Sequence, residues 1–128
     1  MANNKRRRNG ATPFIKLHRG VTNSAAWKSL SCSARCLLLE IWAYHNGANN
    51  GRISYSHEQA RLALRIGSKK VTGSFDELID RGFLVVRRKG SFNVKIKDGP
   101  SKATEWEITD EPCDDQPAKK LYRAWREN

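Results

Sequence analysis

Apolar positions first fall on a helical period between residues 31 and 45. Ala34, Leu37, Leu38, Ile41, Trp42 and His45 recur at the i, i+3, i+4, i+7 spacing of one buried stripe and predict a helix there. Ser31 is suited to cap its start, and Gly47 to take the left-handed conformation beyond its end. Asn46 to Gly51 reads as a tight connection, and Arg52-Ile53-Ser54 as a very short strand. A second helix opens at Ser56, which has capping-box spacing to Gln59, and runs to Leu64 with Ala60, Ala63 and Leu64 on its inner face. Arg65-Ile66-Gly67 is a turn with Ile66 directed at the core. The third helix covers about residues 68–81, with Val71, Phe75, Leu78 and Ile79 inside. Gly82 ends it, and Phe83 folds back on Leu78 as a Schellman ending expects.

After Gly82 the period changes to that of strands. Phe83 to Val86 is a continuous apolar run; Phe92, Val94 and Ile96 alternate with polar residues, as do Trp106 and Ile108. Lys89-Gly90-Ser91 and Asp98-Gly99-Pro100 mark turns between them. Lys95 and Lys97 are expected to face Glu105 and Glu107 across the sheet. Upstream, residues 14–17 suggest a short strand and 23–30 a helical turn or two anchored by Trp27. Residues 117–127 suggest a last amphipathic helix with Leu121, Tyr122 and Trp125 on its apolar side. The expected fold class is α+β, a three-helix core with a small antiparallel sheet. Residues 1–13 read as a disordered basic arm, 14–110 as the domain, and 111–128 as an acidic linker with a helical tail.

Charge changes the picture from fold to function. Twenty-four Lys and Arg against 13 Asp and Glu leave +11 on 128 residues, an excess that attracts polyanions, of which nucleic acid is the commonest. The excess is clustered. Lys5, Arg6, Arg7 and Arg8 form one block; Arg87, Arg88, Lys89, Lys95, Lys97 and Lys102 form another. Asp110, Glu111, Asp114 and Asp115 gather in an acidic stretch. The first block reads as a minor-groove arm, a nuclear-import signal or a solubilising tail, in that order of preference. Lysines on the ribbon also protect sheet edges, but six basic residues exceed that need.

Enzymatic chemistry finds little support. No phosphate loop, nucleophile elbow or zinc-protease motif occurs, and His18, His45 and His57 have no Ser or Cys partner arrangement. A nuclease is the most natural enzymatic rival. Asp76, Glu77 and Asp80 share a helix side, but without a matching His. Cys32, Cys36 and Cys113 are too few and too scattered for a disulfide framework and fit a reducing compartment. Cys32 and Cys36 lie four apart on one helix, yet zinc would need two further ligands, so neither metal nor cofactor is expected. No apolar run is long enough to span a bilayer, and no apolar segment follows the basic start as in a secretory signal; a cytoplasmic location is expected.

The order of elements, with the text of residues 52–90, resembles the bacterial winged helix-turn-helix DNA-binding proteins, including small plasmid- or phage-associated ones. His57 to Gly67 looks like the family's first helix and turn, Ser68 to Leu78 like its recognition helix, and Asp80-Arg81-Gly82-Phe83-Leu84-Val85 like the passage into the wing. The resemblance covers about residues 31–109. It implies a sequence-specific binder of double-stranded DNA, a transcriptional regulator or repressor, with the third helix in the major groove and the ribbon on the backbone or minor groove. A replication or partition accessory protein, or a nonspecific nucleic-acid-binding module, is the alternative. The implied contacts are Ser68, Lys69, Lys70, Thr72, Gly73 and Ser74 on the helix and the second basic block on the wing. The helix phase agrees in placing Lys69, Lys70 and Gly73 outward, with Ser68 and Thr72 flanking. Gly73 departs from the pattern, since Arg or Lys is frequent there. Apolar groups in 14–30 and 117–127 lie outside the core unit; they are expected either to form a homodimer surface or to cap the chain's own core.

Overall fold

The computed structural model describes residues 12–90 and 103–127. Two short helices, α1 (Arg19–Thr22) and α2 (Ala25–Ser29), lead into α3 (Cys32–Trp42). Strand β1 (Ile53–Ser54), helices α4 (His57–Leu64) and α5 (Ser68–Asp80), and strands β2 (Leu84–Arg88) and β3 (Glu105–Ile108) follow, with a final 3-10 turn at Leu121–Ala124. The fold is α+β, with five α-helices and a three-stranded antiparallel sheet of order β1-β3-β2 among the described residues.

Local chemistry sets the helix starts. Ser31 Oγ accepts from the Ala34 amide, and Ser24 Oγ from the Trp27 amide. Ser56 and Gln59 complete their capping box in both directions. At the end of α5, the Phe83 amide donates to Leu78 O at 2.9 Å and that of Gly82 to Ile79 O at 3.1 Å, with Gly82 at φ +86°. That is the Schellman ending. A Cβ on Gly82 would also lie 2.8 Å from the Leu121 backbone, so the glycine lets the tail approach.

The core joins Ala34, Leu37, Leu38, Ile41 and Trp42 of α3 to Val71, Phe75 and Leu78 of α5 and to Leu84, Trp106 and Ile108 of the sheet. Phe75 stacks on Trp106 with centroids 5.0 Å apart, and Trp106 Nε1 donates to Tyr55 O at 3.0 Å, so the indole is buried with its donor satisfied. β3 is central although it comes last. Asn50 secures its end: its Oδ1 accepts from the Ile108 amide at 2.7 Å, and its Nδ2 donates to the carbonyls of Ile108, Glu111 and Pro112.

Several expectations are corrected. Residues 14–17 form no strand, and Phe14 is 78% exposed. Ile79 is 41% exposed and Ala63 is exposed, while Ser74 occupies the inner face of α5. Phe92, Val94 and Ile96 lie outside the described residues, as do Lys95 and Lys97 of the proposed cross-strand pairs. Glu107, one of their intended partners, is instead buried against Arg87 and Lys119.

The tail is not the expected helix. Lys120 takes a left-handed φ of 48°, and only one 3-10 turn forms. Tyr122 is buried, stacked on Phe83 at 4.9 Å, while Arg81 lies over the Trp125 ring. Val21, Ala26 and Leu30 are equally absorbed into the core. Of the apolar groups in 14–30 and 117–127, Phe14, Ile15, Leu17 and Leu121 stay exposed. The capping alternative thus accounts for most of them.

The tail is further held by Asp110, which is almost wholly buried and accepts from Tyr122 OH, with His18 Nδ1 at 3.0 Å and Lys120 Nζ at 3.7 Å. Burial first, and then Asp110, pushes the Tyr122 phenol from 10.0 up to about 12; burial and then Glu40 do the same for Tyr55. A raised folded-state pKa stabilises below the unfolded value and is lost above it. Unfolding free energy should therefore hold up to about pH 10 and fall between about 10 and 12 as the unfolded chain's phenols ionise first, measured by urea titration at stepped pH. Tyr122→Ala should cost about 3–5 kcal/mol, as expected for a buried aromatic; an unchanged melting temperature would contradict the tail's place in the core.

Candidate nucleic-acid interface

The surface that could meet a polyanion is built on α4, the turn after it, and α5. Arg65 ends α4 in the left-handed conformation at φ 58°, and Gly67 caps α5 with extended backbone, so the chain reverses in three residues. Both helices pack on α3. His57, at the first position of α4, fixes the start of α5. Its Nε2 lies 3.1 Å from both Ser68 O and Thr72 Oγ1. No partner for His57 is legible from residue order alone, because that contact exists only after the two helices meet.

The buried face of α5 carries Val71, Ser74, Phe75 and Leu78. Ser68, Lys69, Lys70, Thr72 and Gly73 are exposed around its first two turns. Ser74, expected among the DNA contacts, is 1% exposed; it donates to Lys70 O and lies 2.8 Å from Ser33 Oγ of α3. It is removed from the candidate contacts. Its small side chain lets the two helices approach, and its hydroxyl remains satisfied there. Gly73 has nothing within 4 Å of a Cβ built on it, so no contact within the chain requires a glycine.

Two of the three acids of α5 are engaged within the chain. Glu77 accepts from the Ser31 amide and from Ser31 Oγ, both at 2.8 Å, and so braces the cap of α3. Asp80 pairs with Arg81, which also donates to Ser29 Oγ. Asp76 is exposed.

On the ribbon, the basic block divides. The register of β2 on β3 slips between Val86 and Arg88, leaving Arg87 as the extra residue of a bulge. Arg87 donates to Glu107 Oε1 at 3.0 Å, to Asp114 Oδ2 at 2.9 Å and to Cys113 Sγ. It is an exposed residue at the centre of ion pairs within the chain and not the free wing contact expected of it. Asp114 first, with Cys113 and Glu107, holds its guanidinium firmly charged. Arg87 in turn lowers the Asp114 carboxyl, while burial raises the Cys113 thiol. Arg88 and Lys89 are exposed and, among the described residues, in no ion pair; the Gly90 amide donates to Thr104 Oγ1 beside them. Lys95, Lys97 and Lys102 of the wing, and Lys5, Arg6, Arg7 and Arg8 of the arm, lie outside the described residues.

Three acids of the acidic stretch are likewise engaged, with Asp110 holding the tail, Asp114 on Arg87, and Glu111 accepting from Trp42 Nε1 at 2.9 Å, while Asp115 is exposed. No helix among the described residues is long and apolar enough to cross a membrane. Comparison with protein-family models, curated proteins and solved structures finds no match to this chain.

The two arginines should separate experimentally. Arg87→Ala removes one of two cations from buried Glu107 and should lower the midpoint of chemical denaturation. Arg88→Ala should change stability by less than about 0.5 kcal/mol. Gly73→Ala should gain about 1 kcal/mol of helix stability. Loss of stability in Gly73→Ala would mean that the open space beside it is misplaced.

Proposed function

We propose that this chain is a winged helix-turn-helix protein that binds double-stranded DNA sequence-specifically and regulates transcription. In this reading α5 enters the major groove start first, and the β2–β3 ribbon lies on the backbone or the minor groove. The observation that carries it is the exposed, basic beginning of α5, held out from the core by α4 and followed by an antiparallel ribbon with Arg88 and Lys89 exposed. A helix start also brings free amides and a positive dipole end toward phosphate. Lys69 and Lys70 offer donors for guanine or phosphate, and Ser68 and Thr72 offer hydroxyls. The sheet order β1-β3-β2 packed on a three-helix unit agrees with that architecture. Three free thiols fit a reducing cytoplasm. A two-fold dimer would add selectivity by doubling the site. Within 14–30 and 117–127 it would use Phe14, Ile15, Leu17 and Leu121, since Tyr122 and Trp125 pack on the chain's own core.

Mobility-shift titrations over a series of salt concentrations test the reading. With about five phosphate contacts, log K should fall against log[salt] with a slope near −4.5. Lys69→Ala combined with Lys70→Ala should reduce that slope by up to about two and leave the melting temperature unchanged. Arg87→Ala should leave the slope alone. A wild-type slope shallower than about −2 would remove the charge argument, and equal affinity for all sequences would leave only a nonspecific binder.

A further inference from the structure

Cys32 and Cys36 stand one turn apart on α3, and both are exposed. They line a cleft of about 360 Å³ between the start of α3 and the α4–α5 turn, with Leu64, Ile66 and Lys70 among its walls. Neither thiol takes part in the core or in the proposed contact with DNA. Their spacing decides what they can do. Side chains four apart on a helix have Cβ atoms about 5–6 Å apart, whereas a disulfide brings them to about 3.5–4.5 Å. A direct S–S bond would therefore distort α3. One inserted atom with bonds to sulfur of about 2.3 Å spans the gap without distortion. Among the described residues no three His, Cys, Asp or Glu converge, so a centre needing four protein ligands is not provided for. The cleft suits a soft centre that takes two sulfurs and brings its own third substituent, and its Leu64 and Ile66 walls suit an apolar one.

We propose that Cys32 and Cys36 form a dithiol site for a trivalent arsenical carrying one apolar substituent. The arsenic forms two As–S bonds as its oxide oxygen leaves. Both thiol protons depart with that oxygen as one water, and arsenic remains trivalent, so no oxidant or reductant is needed. Lys70 belongs to α5, and an occupant of the cleft would bear on the first turn of that helix. This regulatory part rests on the DNA-binding reading; the dithiol site does not.

Phenylarsine oxide is the probe. Native mass spectrometry should show one arsenic per folded chain with loss of one water, and thiol titration should show two thiols consumed, with buried Cys113 reacting only after denaturation. Cys32→Ser and Cys36→Ser, each checked for an unchanged melting curve, should weaken binding at least about 100-fold, because the second bond is intramolecular. A small dithiol should strip the arsenic from the wild type, and a monothiol at the same concentration should not. Absence of an adduct, or a Cys32→Ser variant that binds as tightly as the wild type, would overturn the site. In mobility shifts the loaded protein should bind DNA several-fold more weakly. An adduct with unchanged DNA affinity would overturn the coupling, whereas DNA binding absent from the unloaded protein would count against the DNA reading alone.

Discussion

The seam between α3 and α5 sets the orientation of everything that faces outward. It closes where Ser74 meets Ser33, two small hydroxyls 2.8 Å apart, with Val71, Phe75 and Leu78 filling the space around them. Glu77 fixes the same rotation from a second point by accepting from the amide and hydroxyl of Ser31, which itself caps α3. With α5 held in that phase, Lys69, Lys70 and Gly73 face solvent because they have no inward alternative. A larger residue at 74 would push the helices apart or roll α5, at about 1–3 kcal/mol for overpacking. The candidate interface is therefore the reverse side of a packing decision.

A second consequence is a division of charge. A net +11 suggests a uniformly basic surface, yet several cations are committed to buried acids of the chain itself. Arg87 is divided among Glu107, Asp114 and Cys113, and Lys119 and Lys120 meet Glu107 and Asp110. Burying Glu107 is tolerable only because two cations reach it. Among the described residues, cations in no ion pair stand at the start of α5 (Lys69, Lys70) and at the exposed end of β2 (Arg88, Lys89), and also outside the candidate interface, at Lys16, Arg19, Lys28, Arg35, Arg52, Arg65, Arg123 and Arg126.

How much could be read in advance follows from the range of each interaction. The Ser31 cap, the Ser56–Gln59 capping box and the Gly82 ending depend on residues within five positions of each other, and all three appear as expected. The phase of α5 was legible only in part. Ile79 lies about 80° round the helix from Val71 on one side, and Ser74 about 60° on the other. Hydrophobicity favours the isoleucine, whereas close helix packing favours the serine. Arg87 was misread because its partners stand 20 and 27 positions away and its bulge has no local signature. Tyr122 and Trp125 looked like spare apolar surface because the approach permitted by Gly82 is a tertiary event. His57 became part of the candidate site for a similar reason, through a contact 11 residues away.

Backbone amide shifts recorded by NMR during titration with double-stranded DNA test the central claim most directly. The account predicts that the largest changes fall on residues 68–73, with His57 and the 88–90 end of β2, while Ser74, Arg87 and the 110–122 segment move little. Changes concentrated instead around Phe14, Leu121 and the acidic segment, with residues 68–73 unaffected, would contradict it.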